Sequence, residues 1–237
     1  MTKNKKPSGA AGKKGDCGRG GGLKVRVKTA RGRKNSSTRW LQRQLNDPYV
    51  AKAKKDGYRS RAAYKLIEID EKYSIFRNGM RVVDLGAAPG SWLQVIGRRV
   101  KNSRIVGIDL QEIEPIEGVN CIHGDFLEEE PYQAMLAAVK GPVDVVLSDM
   151  AAAACGHTQT DHIRIMYLCE MSLEFAIETL KPEGAFVAKL LRGGAESELQ
   201  AKLKKHFTSV KYFKPSSSRQ DSAEMYVVGL GFRKGDK

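Results

Sequence analysis

The amino-acid sequence predicts an α/β fold in which a mostly parallel sheet is covered by helices on both faces. From Met80 onward, strand-like apolar runs alternate with helical segments, which is typical of doubly wound sheets. The run at residues 185–191 is apolar apart from Lys189, as expected for a strand buried on both faces. A glycine-rich turn at residues 86–90 follows the first run and precedes a helical pattern. Ligands of such folds bind at the carboxyl ends of the strands.

Each element has its own pattern. Residues 60–73 carry apolar side chains at helical spacing, so a helix is expected there. Two shorter helices are expected around residues 38–46 and from Pro48 onward. The remaining helices are expected at residues 91–100, 128–141, 161–180 and 196–207, and strands at residues 81–86, 104–110, 119–126, 143–150, 184–191, 209–215 and 223–232.

The 237 residues allow one large domain with additional sequence. Residues 1–36 are rich in Lys, Arg and Gly and predict a disordered basic arm. No Pro/Gly linker divides the rest, so residues 37–237 are expected to form one domain. Its N-terminal helices would cover residues 37–74, and its sheet would cover residues 80–237. No apolar run approaches the length of a membrane span.

The net charge of +14 is concentrated near the N-terminus. Residues 1–61 hold 19 Lys and Arg against 3 Asp and Glu, which leaves 22 basic and 24 acidic residues in the remainder of the chain. A basic block of this kind favours a polyanionic partner.

The four cysteines are Cys17, Cys121, Cys155 and Cys169. Their spacing fits neither a zinc site nor a disulfide framework, and the histidines lack a ligand set, so we expect no metal. Reduced thiols indicate the cytoplasm, and we expect a monomer. The basic, acid-poor N-terminus leaves an organellar targeting segment open as an alternative.

The turn "DLGAAPGSW" contains Gly86, Pro89 and Gly90. Glycine allows a tight turn and a close approach of the backbone to a ligand. The spacing is not the G-x-G-x-x-G of dinucleotide enzymes, whose second glycine contacts a pyrophosphate. The turn therefore indicates a cofactor site without a pyrophosphate.

Acids at the ends of successive strands narrow the choice of cofactor. Asp109 ends the second strand and is placed to accept hydrogen bonds from ribose hydroxyls. Asp125 follows the third strand and is placed to accept from an adenine amino group, while Asp84 precedes the glycine turn. This order favours S-adenosylmethionine.

Seven motifs in order resemble the FtsJ/RrmJ-type RNA 2′-O-ribose methyltransferases. The resemblance covers about Arg59 to Phe232, and its motifs are "SRAAYKL", "DLGAAPGSW", "IVGIDL", "GDF", "LSDMA", "FVAKLLRG" and "SAEMYVV". It implies the Rossmann-like S-adenosylmethionine-dependent methyltransferase fold, with seven strands and an antiparallel last strand. It also implies methylation of a uridine in the A loop of 23S ribosomal RNA within the large ribosomal subunit.

The resemblance also implies site residues. The family's Lys–Asp–Lys–Glu tetrad maps to Lys65, Asp149, Lys189 and Glu224. Its cofactor positions map to Gly90, Trp92, Asp109, Asp125 and Asp149, to which the turn adds Gly86 and Pro89. We expect Lys189 to steer the target hydroxyl and to be its best candidate base, Lys65 to position the ribose or a phosphate, and the two acids to orient the amines.

One motif departs from the family. The chain has "DMAAAACG" after the fourth strand, where the family usually has "DMAPNMSG". An RNA-binding assembly factor without catalysis is therefore an alternative function. Methylation of tRNA anticodon-loop riboses is a second alternative within the family, and the glycine spacing opposes a nicotinamide oxidoreductase.

Overall fold

The computed structural model describes residues 35–151, 155–192 and 196–234. The chain divides into two units, Met1–Asp47 and Pro48–Lys237. In the first unit, helix α1 spans Asn35–Leu45. Residues 1–34 of the predicted arm lie outside the described residues, and the predicted boundary between arm and domain stays a prediction.

A seven-stranded sheet forms the second unit's centre. In chain order its strands are β1 (Arg81–Leu85), β2 (Arg104–Asp109), β3 (Val119–His123), β4 (Val143–Ser148), β5 (Leu180–Leu191), β6 (Phe207–Phe213) and β7 (Glu224–Phe232). Their spatial order is β3-β2-β1-β4-β5-β7-β6. Strand β7 pairs antiparallel with β5 and β6, and the other pairs are parallel. The predicted mostly parallel sheet with an antiparallel last strand is confirmed.

The order of the strands reverses direction between β1 and β4. The chain runs from β1 outward to β3, returns to β4 on the other side of β1, and continues outward from there. Such a switch point opens a crevice at the carboxyl edge of a parallel sheet, because the neighbouring connections leave in opposite directions.

Helices cover both faces of the sheet, as predicted. The helices of the second unit are α2 (Pro48–Lys55), α3 (Ala63–Tyr73), α4 (Ser91–Arg99), α5 (Glu129–Val139), α6 (Thr158–Thr179) and α7 (Glu196–His206). The apolar sides of α3 and α4 share one core with the sheet, while α5, α6 and α7 share the other.

Strand alternation divides the side chains between the two cores. Val82 and Val145 enter the core under α3 and α4, and their neighbours Val83 and Val146 enter the opposite core. All four are fully buried, and each such burial stabilises the fold by about 1.5–3 kcal/mol. Near-continuous apolar strands are therefore required here, as the sequence predicted.

Several element boundaries differ from the predicted ones by a few residues, and two of them are informative. The helix expected from residue 60 begins at Ala63, because the Ser60 Oγ accepts from the Ala62 N–H at 3.2 Å and also meets the Ser91 Oγ at 2.8 Å. Strand β5 begins at Leu180 rather than at residue 184, and its pairing with β4 shifts register between Val143 and Val145. Within the described ranges, no helix is long and apolar enough to cross a membrane.

Candidate active site

Three strands bring the central residues of the site together at the carboxyl edge of the sheet. Ser148 on β4 is in register with Ala188 on β5, so Asp149 and Lys189 are the next residues on neighbouring parallel strands. Lys189 is also paired in register with Tyr226 on β7. Residues from three distant segments therefore meet beside the switch point.

The ammonium of Lys189 has partners despite the apolar run around it. Its Nζ donates to the main-chain oxygen of Asp149 at 2.6 Å and lies 3.2 Å from Asp149 Oδ1. The side chain is only 8% exposed. A buried charge is costly unless it is paired and hydrogen-bonded, and Asp149 supplies both contacts.

Helix α3 places the second lysine opposite the first. Lys65 Nζ lies 2.8 Å from Glu224 Oε1 and 2.9 Å from Oε2, and 3.8 Å from Asp149 Oδ2. Asp149 therefore lies between the two ammonium groups. The structure brings all four residues of the predicted tetrad into one cluster, Lys189–Asp149–Lys65–Glu224.

Asp149 is held in its charged form. Burial alone would raise its pKa, but the Lys65 and Lys189 ammonium groups and the hydrogen bond from Tyr226 lower the pKa below its ordinary value. The Tyr226 hydroxyl donates to Asp149 Oδ1 at 2.7 Å. Burial and the neighbouring carboxylates Asp149 and Glu224 raise the Tyr226 pKa well above its ordinary value, so the phenol stays a donor.

A serine-rich loop at residues 216–218 supports Glu224, a contact that the sequence analysis did not predict. Ser218 Oγ donates to Glu224 Oε1 at 2.9 Å. The loop is anchored by Glu68 on α3, whose carboxylate accepts from the Ser216 N–H at 2.5 Å and the Ser217 N–H at 3.0 Å. Helix α3 therefore carries both Lys65 and Glu68. Glu68 anchors the loop whose Ser218 contacts Glu224, the partner of Lys65.

The glycine turn has the backbone that its sequence predicted. Gly86 has a φ of +74° and Gly90 a φ of +99°, which side chains rarely allow. A Cβ at Gly86 would lie 2.2 Å from Met150 Cγ. The Ala88–Pro89 peptide bond is cis. Gly90 is also the N-cap of α4, whose first N–H groups have no partner within the helix.

The side chain of Trp92 is buried in the core. Its ring is 3% exposed and its indole N–H donates to the Ala62 oxygen at 2.9 Å. The ring also packs 5.8 Å from that of Tyr226. The main-chain N–H of Trp92 belongs to the first turn of α4, which follows the glycine turn directly.

Two of the predicted cofactor acids are fixed by backbone amides. Asp109 accepts from the Ala88 N–H and the Gln111 N–H, each at 2.8 Å. Asp125 accepts from the Leu127 N–H at 3.0 Å. Asp109 thereby joins the end of β2 to the glycine turn.

Asp84 is buried without a hydrogen-bond partner. It is 1% exposed, and neither carboxylate oxygen has a partner among the described residues. Burial, with Asp149 and Asp109 nearby, raises its pKa well above the ordinary value. An unpartnered carboxyl near two other acids suits a cationic or hydrogen-bond-donating ligand group.

No metal site is found in the parts of the chain that the structure describes, since no group of three His, Cys, Asp or Glu side chains there could hold an ion. Residues 152–154, three of the four positions that depart from the family motif, lie outside the described residues.

Comparison with known proteins shows the family to which the chain belongs. Residues 58–232 match the FtsJ-like methyltransferase family. A protein of Parvibaculum lavamentivorans named ribosomal RNA large subunit methyltransferase E is 54% identical over 244 aligned positions, covering 98% of this chain and 96% of that protein. A protein of the same name from Sphingopyxis alaskensis is 55% identical, covering 97% of this chain and 99% of that protein. A solved structure from Plasmodium falciparum, described as a candidate ribosomal RNA methyltransferase, is 32% identical with a TM-score of 0.64, covering 74% of this chain and 98% of that one.

Proposed function

The chain belongs to the FtsJ-like methyltransferase family, and we propose that it transfers a methyl group from S-adenosylmethionine to a ribose 2′-hydroxyl of large-subunit ribosomal RNA. The observation that carries the proposal is the Lys189–Asp149–Lys65–Glu224 cluster at the carboxyl edge of the sheet. Within the family, we take the target to be a uridine of the A loop, as the resemblance implies.

The residues beside the cluster fit the proposed cofactor. Asp109 and Asp125, fixed by main-chain amides, would hold the ribose and the adenine amino group. The turn at Gly86, Pro89 and Gly90 and the N–H groups that begin α4 would lie along the methionine part. Buried Asp84, which has no hydrogen-bond donor among the described residues, supports binding of a group that is positively charged. When bound, S-adenosylmethionine supplies an electrophilic methyl group on a sulfonium.

The protein's contribution to such a reaction is mainly positioning. Transfer to a hydroxyl requires the oxygen, the methyl carbon and the sulfur to lie in line, and fixed groups lower the entropic cost of that arrangement. We assign the steering of the 2′-hydroxyl to Lys189, whose Nζ is held by two contacts to Asp149. In its amine form, the same nitrogen would accept the hydroxyl proton.

The other three residues orient the two nitrogens. Asp149 stays ionised between both lysines, and Glu224 fixes Lys65 through both of its oxygens. We assign to Lys65 the positioning of the target ribose or of a neighbouring phosphate. Ammonium–phosphate contacts would add affinity that does not depend on sequence.

The substrate assignment rests on relatives and on charge. Relatives 54% and 55% identical to the chain are named as large-subunit ribosomal RNA methyltransferases. The basic surplus in residues 1–61 favours binding to a nucleic acid. We place the reaction in the cytoplasm, where ribosomal subunits are assembled, with the protein acting as a monomer.

The deciding experiment incubates the protein with methyl-labelled S-adenosylmethionine and, separately, with large ribosomal subunits, free ribosomal RNA or tRNA. The expected result is label in the large-subunit RNA, followed by mapping of a 2′-O-methylated uridine. Label only in tRNA would overturn the substrate assignment. Absence of label in every RNA, with cofactor binding intact, would favour the assembly-factor function.

A further inference from the structure

Arg59 joins two loops that frame the proposed cofactor site. Its Nη1 donates to the Pro89 oxygen at 2.9 Å and to the Glu114 oxygen at 2.8 Å. Its Nη2 donates to the Pro115 oxygen at 3.1 Å. One guanidinium therefore satisfies three main-chain carbonyls from two separate parts of the chain.

The two loops follow neighbouring strands. Pro89 lies in the turn between β1 and α4, and residues 110–118 connect β2 to β3 without helix or strand. Pro89, Glu114 and Pro115 are exposed residues, so their oxygens do not depend on Arg59 for a hydrogen-bond donor. What the guanidinium adds is a link that holds the connection against the glycine turn.

Packing around Gly90 shows how close the three segments are. A Cβ added at Gly90 would lie 2.7 Å from Arg59 Nη1, 2.9 Å from Ile116 Cδ1 and 3.2 Å from Ile113 Cγ2. The turn, the connection and the guanidinium are thus in direct contact. A displaced guanidinium would release Ile113 and Ile116 from their position over the turn.

The main chain of Arg59 is fixed as well. Its N–H donates to Gln94 Oε1 on α4 at 2.9 Å. Gln94 Nε2 in turn donates to the Gly57 oxygen at 3.1 Å. The arginine is therefore anchored at its backbone to α4 while its side chain reaches both loops.

Arg59 joins the two loops through hydrogen bonds rather than through an ion pair. The nearest carboxylate, Glu114 Oε2, lies 3.8 Å from Arg59 Nη2, and its side chain is 88% exposed, so the ion pair contributes little. The planar fork of a guanidinium can reach carbonyls in two directions, whereas a lysine ammonium is a single point. The arrangement therefore requires an arginine and not merely a positive charge.

We propose that Arg59 is a positioning residue that holds the glycine turn and residues 113–116 in the arrangement that binds the cofactor. The proposal rests on the proposed function, because it takes S-adenosylmethionine as the ligand of this site. Arg59 acts on cofactor affinity and leaves the chemical step to the tetrad.

The test compares Arg59→Lys and Arg59→Gln with the wild type by calorimetric titration with S-adenosylhomocysteine, in the absence of RNA. Loss of two or three hydrogen bonds predicts a Kd raised by about tenfold or more. In the methyl-transfer assay, the KM for S-adenosylmethionine should rise similarly. The kcat at saturating cofactor and the KM for RNA should stay within about twofold of wild type, a split that general loss of folded protein would not produce.

Arg98→Lys is the matched control. Arg98 also donates to main-chain oxygens, those of Asp56 at 3.0 Å and Gly57 at 3.3 Å, but it does not join the two cofactor loops. Its replacement should leave the Kd unchanged. Folded Arg59→Lys protein with wild-type affinity would overturn the proposal while leaving the function intact. Wild-type protein that fails to bind S-adenosylhomocysteine would overturn the cofactor assignment and this proposal together.

Discussion

Lys65 and Glu224 are 159 residues apart in the chain, yet the Lys65 ammonium contacts both carboxylate oxygens of Glu224, at 2.8 Å and 2.9 Å. The two side chains are 12% and 16% exposed. A pair so shielded from water gains from its geometry but leaves a costly charge behind when one partner is lost. The contact links helix α3 to the start of β7. It therefore contributes both to the stability of the fold and to the position of Lys65 in the site.

Glu224→Ala should therefore destabilise the protein by about 3 kcal/mol, because Lys65 would face only Asp149, 3.8 Å away. Urea unfolding measures this change. Glu71→Ala is the control on the same helix: Glu71 is 63% exposed and lies 3.6 Å from Arg99, so the loss should stay below about 1 kcal/mol. Equal effects of the two substitutions would contradict the shielded-pair interpretation.

Lys189→Ala should abolish turnover, with a loss of about 100-fold or more in kcat, as expected for removal of a positioned proton acceptor. Calorimetric affinity for S-adenosylhomocysteine should change little. Lys202→Ala removes another lysine that pairs with a carboxylate, Glu174, but on α7 and away from the cluster, and it should keep wild-type turnover. Wild-type kcat in Lys189→Ala would rule out the tetrad assignment.

Ser218→Ala should lower kcat by about three- to tenfold, because Glu224 loses the donor 2.9 Å from Oε1 and Lys65 is then held less firmly. Glu68→Gln should act in the same direction, since an amide group replaces one of the oxygens that accept from the Ser216 and Ser217 N–H groups. Both are measured as kcat at saturating RNA and cofactor.

Ser103→Ala, at the other end of the sheet, is the control for the two loop variants. An equal loss of kcat in Ser103→Ala would contradict the role of the loop.

Deletion of residues 1–36 should raise the KM for RNA and flatten its dependence on salt. Each Lys or Arg contact to phosphate adds to the slope of log affinity against log salt concentration. The measurement is RNA binding by wild type and truncated protein from low to moderate salt. Equal slopes would show that the arm does not contact phosphate.

The sequence predicted the fold because strand and helix patterns are local, whereas the four tetrad positions came from the resemblance to the family. The structure brings their side chains together, and their catalytic roles stay a prediction. Lys189 stood out as the single charge in an apolar strand, and strand ends in a parallel sheet meet at one edge. Arg59, Glu68 and Ser218 could not be found in this way. Arg59 and Glu68 contact main-chain groups of irregular loops, and Ser218 contacts Glu224 on β7. A polar side chain in a loop or on a helix has no periodicity that indicates such a distant partner. Trp92 shows the reverse: the resemblance marked it as a cofactor position, but only the structure shows that its ring is buried against Tyr226.

Asp84 and Asp149 have opposite effects on stability as pH changes. The pKa of Asp149 is lowered in the folded state, so its contribution is present above the ordinary aspartate value and is lost as the pH falls through the lowered one. The pKa of Asp84 is raised from the ordinary 3.8. Its contribution is complete below that ordinary value and is lost as the pH rises through the raised one, where an unpartnered carboxylate must stay buried.

Asp84→Asn isolates the effect of Asp84 on stability. The amide has nearly the same shape as the carboxyl and cannot ionise, and Asp149 is unchanged. Without cofactor, the difference in Tm between variant and wild type should grow in favour of the variant as the pH rises from about 5 to about 9. The same variant should bind S-adenosylhomocysteine more weakly, because the only buried carboxyl without a partner among the described residues would no longer be available to a cationic group. A pH-independent difference in Tm would mean that Asp84 ionises as freely in the folded protein as in the unfolded chain. Unchanged affinity of Asp84→Asn for S-adenosylhomocysteine would show that the unpartnered oxygens of Asp84 have no bearing on cofactor binding.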